Sequence, residues 1–467
     1  MAALNPHPDR LLPADADTRV VARRLYQQVA QLPIVSPHGH VPPQWLSQDL
    51  PFADPTSLLI TPDHYVNRMM HAHGVSLADL GVGRELTPEQ SRAAFRLLCQ
   101  HWSAYRATPV RYWLEDELAG IFGITERPSA ANADAIYDQI AHQLTQPQFR
   151  PRALFDQFGI EVLATTDDPC EDLAAHAALV AQGFQGRVLP TFRPDRYLDP
   201  AESTWIERVG RLGEVAGIDT ATYPGYIQAL EQRRAHFIAH GAVSADHAAI
   251  DAGTLVLDPE QASRIFDAAL AGRATSAEHT AFRRHMLSEM ARMSCDDGLV
   301  MTLHPGVRRN HHQASYQQYG TDIGCDIPIA VEFTDALAPL LNAYGTHPNL
   351  HLVLFTIDET VYSRELAPLA GFYPSVYVGV PWWFIDAPEA ITRFRSAVTE
   401  TAGFSRTSGF IDDTRAFCSI PARHDMSRRL DAAYLARLVL EHRLDEDEAA
   451  QAIVDLVSTN PRKVFKL

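Results

Sequence analysis

The chain has 467 residues, of which 46% are hydrophobic and 21% charged, and a formal charge of −17 at pH 7. Its length exceeds what one small core requires, and its composition is that of a globular protein. The acidic balance speaks against nucleic acid or an anionic membrane as partner, because both demand concentrated positive surface.

The cysteines Cys99, Cys170, Cys295, Cys325 and Cys418 are scattered, odd in number and form no Cys-x-x-Cys pair, the usage of a reduced compartment. The N-terminus lacks a basic segment followed by an apolar one. No window approaches the ~18 uninterrupted apolar residues of a spanning helix. A soluble, cytoplasmic protein is expected.

In chain order, Val20, Val21, Leu25, Tyr26 and Val29 recur at helical spacing within residues 16–31, with Asp17 or Thr18 as the expected cap. A short β-branched strand follows, Ile34 to Pro37, and leads into His38-Gly39-His40. Alternate strand residues share a face, so two imidazoles there can hold a divalent cation from one side. A surface loop with two of the chain's 21 histidines is the bland alternative.

From about 41 to 155 the texture is helical, with segments near 63–73, 88–105, 109–122 and 131–146 and no convincing strand. Asp63-His64-Tyr65 opens one of these helices with polar groups on its first turn. Arg111-Tyr112-Trp113 reads as ordinary helix packing.

After residue 155, β-branched runs alternate with helical stretches. The runs are Ile160–Asp167, Arg187–Arg193, Gly241–His247, Leu299–His304, Leu350–Asp358, Val376–Val380 and Thr407–Asp413. With Ile34–Pro37 they make eight, the signature of a (β/α)8 TIM-type barrel with a helical insertion after the first strand. The expected organisation is a barrel from 1–40 and 156–467, with 41–155 as the mostly helical insertion contributing to the active site. No Gly-x-Gly-x-x-Gly follows any strand, so an organic dinucleotide cofactor has little support.

In such a barrel the functional groups lie at the carboxyl ends of the strands. Those ends carry His38 and His40, Asp167 and Asp168, Arg193, Asp246 and His247, His304, Asp358, Trp382 and Trp383, and Asp412, Asp413 and Arg415. Barrel closure would bring the first and eighth strands together, so His38, His40 and either Asp412 or Asp413 would meet at one rim. Two imidazoles and a carboxylate suit Zn2+ or Mn2+. His304 would be a further ligand, a support for the ligands, or a hydrogen-bonded core histidine. Arg193, Arg309 and Arg415 follow strand ends and would repel one another without an anion, so an acidic, oxygen-rich small molecule is the economical substrate class; taken singly, each is equally read as a surface arginine paired to a neighbouring acid.

These pieces resemble uronate (glucuronate) isomerases, a branch of the amidohydrolase superfamily, over nearly the whole chain. The matching motifs are Ser36-Pro-His38-Gly-His40, Asp63-His64-Tyr65, Trp102 with Arg111-Tyr112-Trp113, and Phe192-Arg193-Pro194-Asp195. Further on they are Asp246-His247, His304-Pro-Gly306 with Arg309-Asn310, Pro381-Trp382-Trp383-Phe384 and Asp412-Asp413-Thr414-Arg415. The usual opening is aromatic-His-Cys-His-Leu, and this chain departs from it with Pro37-His-Gly-His-Val41.

The resemblance implies interconversion of D-glucuronate with D-fructuronate and of D-galacturonate with D-tagaturonate in hexuronate catabolism. It implies one divalent metal, commonly zinc, on His38, His40 and Asp413, and a homo-oligomer acting on a small hexuronate. The implied catalytic residues are Asp413, His64, Tyr65 and Arg415. The implied substrate contacts are Arg193, Arg309, His304, Trp382, Trp383 and His247.

In this scheme Asp413, or a group it orients, moves a proton from C2 to C1. The metal or Arg415 faces the enediolate oxygen, Tyr65 with His64 serves the substrate oxygens, and Arg193 or Arg309 holds the C6 carboxylate. Hydride transfer between C1 and C2 is the competing route. A metal-dependent hydrolase of the same superfamily (lactonase or amidohydrolase) and a non-catalytic sugar-acid binding protein are the rival readings.

Overall fold

Ile34–Ser36 (β1) is wholly buried, as a β-branched pair between turn residues dictates. In the computed structural model, which describes residues 3–467, it founds a parallel ladder. β1 pairs with Ile160–Ala164 (β2), and β2 pairs with Arg187–Leu189 (β3). A second ladder joins Ser244–Ala249 (β4) and Val300–Pro305 (β5). A two-stranded antiparallel hairpin, Val307–Arg308 (β6) with Ile327–Pro328 (β7), leaves the rim after β5. The chain then returns as Leu352–Leu354 (β8), beside β5, and Val376–Val378 (β9), beside β8.

The two ladders meet at Phe192, which bridges to Asp167 on one side and Ala245 on the other. Beyond β9, Thr407 bridges to Val378 and Ser408 N–H donates to the Val378 carbonyl at 3.0 Å. His40 N–H donates to the Thr414 carbonyl at 3.0 Å, which brings the last run back to the first. The architecture is α/β and TIM-barrel-like, with the strand ends gathered at one rim.

The regular strands are shorter than the β-branched runs. Thr407–Asp413 contributes a bridge and no strand among the described residues, because Gly409 (φ 77°) and Asp413 (φ 42°) take left-handed conformations that end extended pairing. Pro190, which has no N–H to donate, ends β3 early.

Ala16–Val29 is helical as its spacing predicts, but Asp15, not Asp17 or Thr18, is its cap, accepting from Thr18 N–H. Between β1 and β2 the described elements are helices, among them His64–Ala72, Pro88–Gln100, Pro109–Asp116 and Ala133–Leu144, with no strand. One continuous apolar core runs from this block into the sheet, so the two share an interior.

Candidate active site and metal centre

A cavity of about 900 Å3 opens at the carboxyl ends of the strands. His38, Gly39 and His40 leave β1 into its floor. A Cβ on Gly39 would lie 3.4 Å from the Ala164 carbonyl oxygen, and Thr166 Oγ1 donates to the Gly39 carbonyl at 2.9 Å, so the chain passes close to β2 here. Asp413 approaches from the last run. Its Oδ1 lies 3.3 Å from His38 Nε2 and 3.1 Å from His40 Nε2, and the three donor atoms all lie within 4.8 Å of one another.

Ligand atoms about 2.0–2.1 Å from a tetrahedral cation stand roughly 3.3 Å apart, so this donor set fits a small divalent metal. Spacing left Asp412 and Asp413 open. The structure turns Asp413 toward the histidines and Asp412 away, onto His424 Nε2 at 3.0 Å. Burial disfavours the Asp413 carboxylate, yet the hydrogen bonds from His38 and His40 outweigh it and hold the group well below the usual carboxylate range. Burial, reinforced by Arg415, brings His40 down to about 4, so its ring is neutral and available as a ligand at pH 7.

Behind the metal residues, strand alternation turns Asp246 inward and His247 outward. Asp246 Oδ1 accepts from Thr302 Oγ1 at 2.6 Å and stands 3.0 Å from His304 Nδ1. Arg193 donates to His304 Nε2 at 3.4 Å, lies 3.5 Å from Asp246 and donates to Asp195 at 2.9 Å. Two acids therefore already engage Arg193, so of the two readings the sequence offers for it, anion grip or pairing with a neighbouring acid, the second is the one the structure displays. Trp382 stacks on Phe355 and lies edge-on to His304 and tilted to His38, with ring centroids 4.8 and 5.3 Å away.

His247 does not reach the cavity, contrary to its expected substrate contact. It is wholly buried, and its Nδ1 donates to the Thr302 carbonyl at 2.9 Å. The sequence contained the missed signal: on a strand ending Asp-His only one of the two can face the site.

The helix His64–Ala72 delivers His64. Asp63 caps it by accepting from Tyr65 N–H at 2.8 Å, which fixes the first turn against the cavity. His64 lines the cavity, its Nε2 buried without a partner, and burial with the Arg415 charge brings it down to about 3.

Tyr65 stacks on His64 at 4.8 Å but lies outside the cavity lining, which differs from the expected contact with substrate. Its hydroxyl donates to Asp386 at 3.1 Å and accepts from Phe384 N–H at 3.1 Å. Arg423 Nη1 donates to the same Asp386 at 3.0 Å and lies over the Trp113 ring at 3.6 Å. Burial raises Asp386 to about 6 against the pull of Arg423. Asp386 and Arg423 carried no sequence signal beyond a lone acid closing an aromatic run and a cation inside a helix.

Arg309 and Arg415 flank the cavity mouth. Arg309 lies over the Trp383 ring at 4.7 Å, and its Nη1 lies 3.1 Å from Asp326. Arg415 donates to Asp322 at 3.0 Å. Both acids belong to the excursion between β6 and β7, whose sequence has no periodicity from which to predict their placement. Trp383 and Phe384 join Asp413 in the left-handed region (φ 36° and 61°), a concentration of unfavourable backbone around one site.

The family profile of glucuronate isomerase matches residues 16–465. The chain is 58% identical to a uronate isomerase of Cutibacterium acnes over 98% of both sequences. It is 56% identical to one of Corynebacterium efficiens, over 99% of this chain and 98% of that one. A glucuronate isomerase structure from Caulobacter crescentus superposes with a TM-score of 0.97 at 47% identity, covering 100% of this chain and 98% of that one. A uronate isomerase structure from Thermotoga maritima gives 0.92 at 27% identity, over 99% of each.

Proposed function

The chain belongs to the glucuronate isomerase family and is an aldose–ketose isomerase, and from that premise we propose that it interconverts D-glucuronate with D-fructuronate and D-galacturonate with D-tagaturonate at the cavity described above. The observation that carries the site assignment is the convergence of His38, His40 and Asp413 on one rim, facing His64 and Arg415 across a single cavity. A divalent cation on His38, His40 and Asp413, which we read as zinc, would supply positive charge beside the substrate oxygens.

The chain's own groups divide the remaining work. Arg309, backed by Trp383 and Asp326, holds the carboxylate of the acid sugar and fixes register. Asp413 takes the C2 proton and, after exchange with solvent in the open cavity, delivers a proton to C1. A carboxylate held so far below its usual range is a weak base, so the step needs the enediolate oxygen to be stabilised as charge develops. Arg415 is the cation placed for that. His64, neutral at pH 7, accepts the proton leaving O2 and delivers one to O1 through its unpartnered Nε2.

The Asp246–His304–Arg193 cluster supports the floor, and Tyr65, Asp386 and Arg423 support His64 from behind. The free cysteines and the lack, among the described residues, of a helix able to cross a membrane support a cytoplasmic placement.

A hydrolase would use the same donor set on lactones or amides. The test is a panel of D-glucuronate, D-galacturonate and sugar lactones, each with chelator and then with added Zn2+ or Mn2+. Ketose formation from the uronates, lost with chelator and restored by metal, is expected. Lactone opening without ketose formation would replace this reading with the hydrolase, and binding without turnover of any kind would leave a binding protein.

A further inference from the structure

The two arginines at the cavity mouth are held by two acids that differ in kind. Asp326 is buried, accepts from Asn310 N–H at 2.6 Å and lies 3.1 Å from Arg309 Nη1, so it is built into the wall. Asp322 is 41% exposed at its side chain, lines the cavity, and spans both cations, with Oδ2 3.0 Å from Arg415 Nη2 and Oδ1 3.8 Å from Arg309 Nη1.

The backbone of Asp322 sits at φ 60°, a conformation that a residue with a Cβ keeps only where something holds it. Two residues on, Gly324 presses against the helix that carries His64. A Cβ there would lie 3.1 Å from the His64 carbonyl oxygen and 2.9 Å from Arg68 Cβ. The segment thus rests on the catalytic helix while its acid reaches across to the arginines.

We propose that Asp322 is an internal anion that bridges Arg309 and Arg415 until an acid sugar displaces it, the sugar carboxylate then taking Arg309 and the freed Arg415 turning to the enediolate oxygen, making Asp322 a determinant of affinity and of selectivity for acids. This rests on the uronate reading of the cavity. With Asp322 in place the two guanidiniums face two carboxylates. A third carboxylate would place excess negative charge on the pair, whereas exchange for Asp322 keeps the balance. An exposed ion pair is easily given up. A neutral sugar that displaced Asp322 would leave Arg415 without its carboxylate and Arg309 with Asp326 alone, so the exchange favours substrates bearing an anion.

Calorimetric binding of D-gluconate, an acid of the same length with no carbonyl to isomerise, tests this in the full-length protein, with D-glucitol as the neutral probe. Asp322→Asn and Asp322→Ala are expected to tighten gluconate binding by about fivefold or more and to lower KM for D-glucuronate in the same direction. Asp326→Asn, which removes the same charge from the same loop, is expected to weaken both.

Weaker or unchanged gluconate binding in the Asp322 variants would make Asp322 a support for Arg415 and overturn the proposal, as would binding of gluconate by none of the proteins. Gluconate binding by a wild-type protein that forms no ketose would instead strike the isomerase reading and leave the sign of the Asp322 effect readable.

Discussion

His40 N–H donates to the Thr414 carbonyl at 3.0 Å, and this one main-chain bond places residues from the two ends of the chain at a common rim. Asp413, adjacent to Thr414 and in the left-handed region, is thereby aimed at His38 and His40.

Asp413→Asn should keep the fold and lower kcat by about three orders of magnitude, because it removes both the proposed base and one anionic donor from the metal residues. Steady-state isomerisation together with elemental analysis of bound metal checks it. Activity within a few-fold of wild type would remove Asp413 from its role.

His64 and Tyr65 should separate. His64→Asn is expected to lower kcat by about 10^2, since its ring lines the cavity and its Nε2 has no partner within the protein. Tyr65→Phe removes a buried hydrogen bond to Asp386 and should cost about 1–2 kcal/mol of stability while kcat falls less than His64→Asn makes it fall. Equal losses of kcat in the two variants would return Tyr65 to the chemistry.

Gly39 is not in a left-handed conformation, and a Cβ there meets its first neighbour at 3.4 Å, the Ala164 carbonyl oxygen. Gly39→Ala should therefore be accepted and raise stability by about 0.5 kcal/mol through the unfolded state. Urea unfolding reads this directly, and a loss beyond about 1 kcal/mol would show that the floor needs the glycine.

His247 gives the protein an acid limit. Burial brings it from 6.5 to about 4, so the native ring stays neutral while the unfolded one takes a proton below pH 6.5. The unfolded state then binds more protons, and stability present above pH 6.5 is lost as pH falls toward 4. This group alone accounts for about 2 kcal/mol between pH 7.5 and pH 5. Comparing denaturant midpoints at those two pH values should show a smaller acid loss for His247→Gln than for wild type, and an unchanged loss would contradict the burial argument.

What the sequence disclosed follows from what depends on local pattern. The β-branched runs and helical spacing announced an α/β chain with a helical block after the first strand. His38-Gly-His40 was legible because ligand spacing is local. The choice between Asp412 and Asp413 depended on a backbone φ of 42° that no spacing encodes, and the motif resemblance pointed to the residue that the fold turns inward.

His247 misled because its neighbour Asp246 took the inward face. For Arg193 the sequence offers both an anion grip and a pairing with a neighbouring acid; Asp195, two residues away, was in plain view, and only Asp246, on the next strand, is supplied by tertiary structure. Asp322, Asp326, Asp386 and Arg423 lay hidden for the same reason: loops and packed helices bring charges together without a period to reveal them.

The central claim is that this rim moves a proton from C2 to C1 of a hexuronate. Incubating D-glucuronate with the metal-loaded enzyme in D2O and following the products by NMR tests it most directly. The account predicts a ketose carrying solvent deuterium at C1. Ketose formed without deuterium would point to direct hydride transfer, and no ketose at all would contradict the isomerase itself.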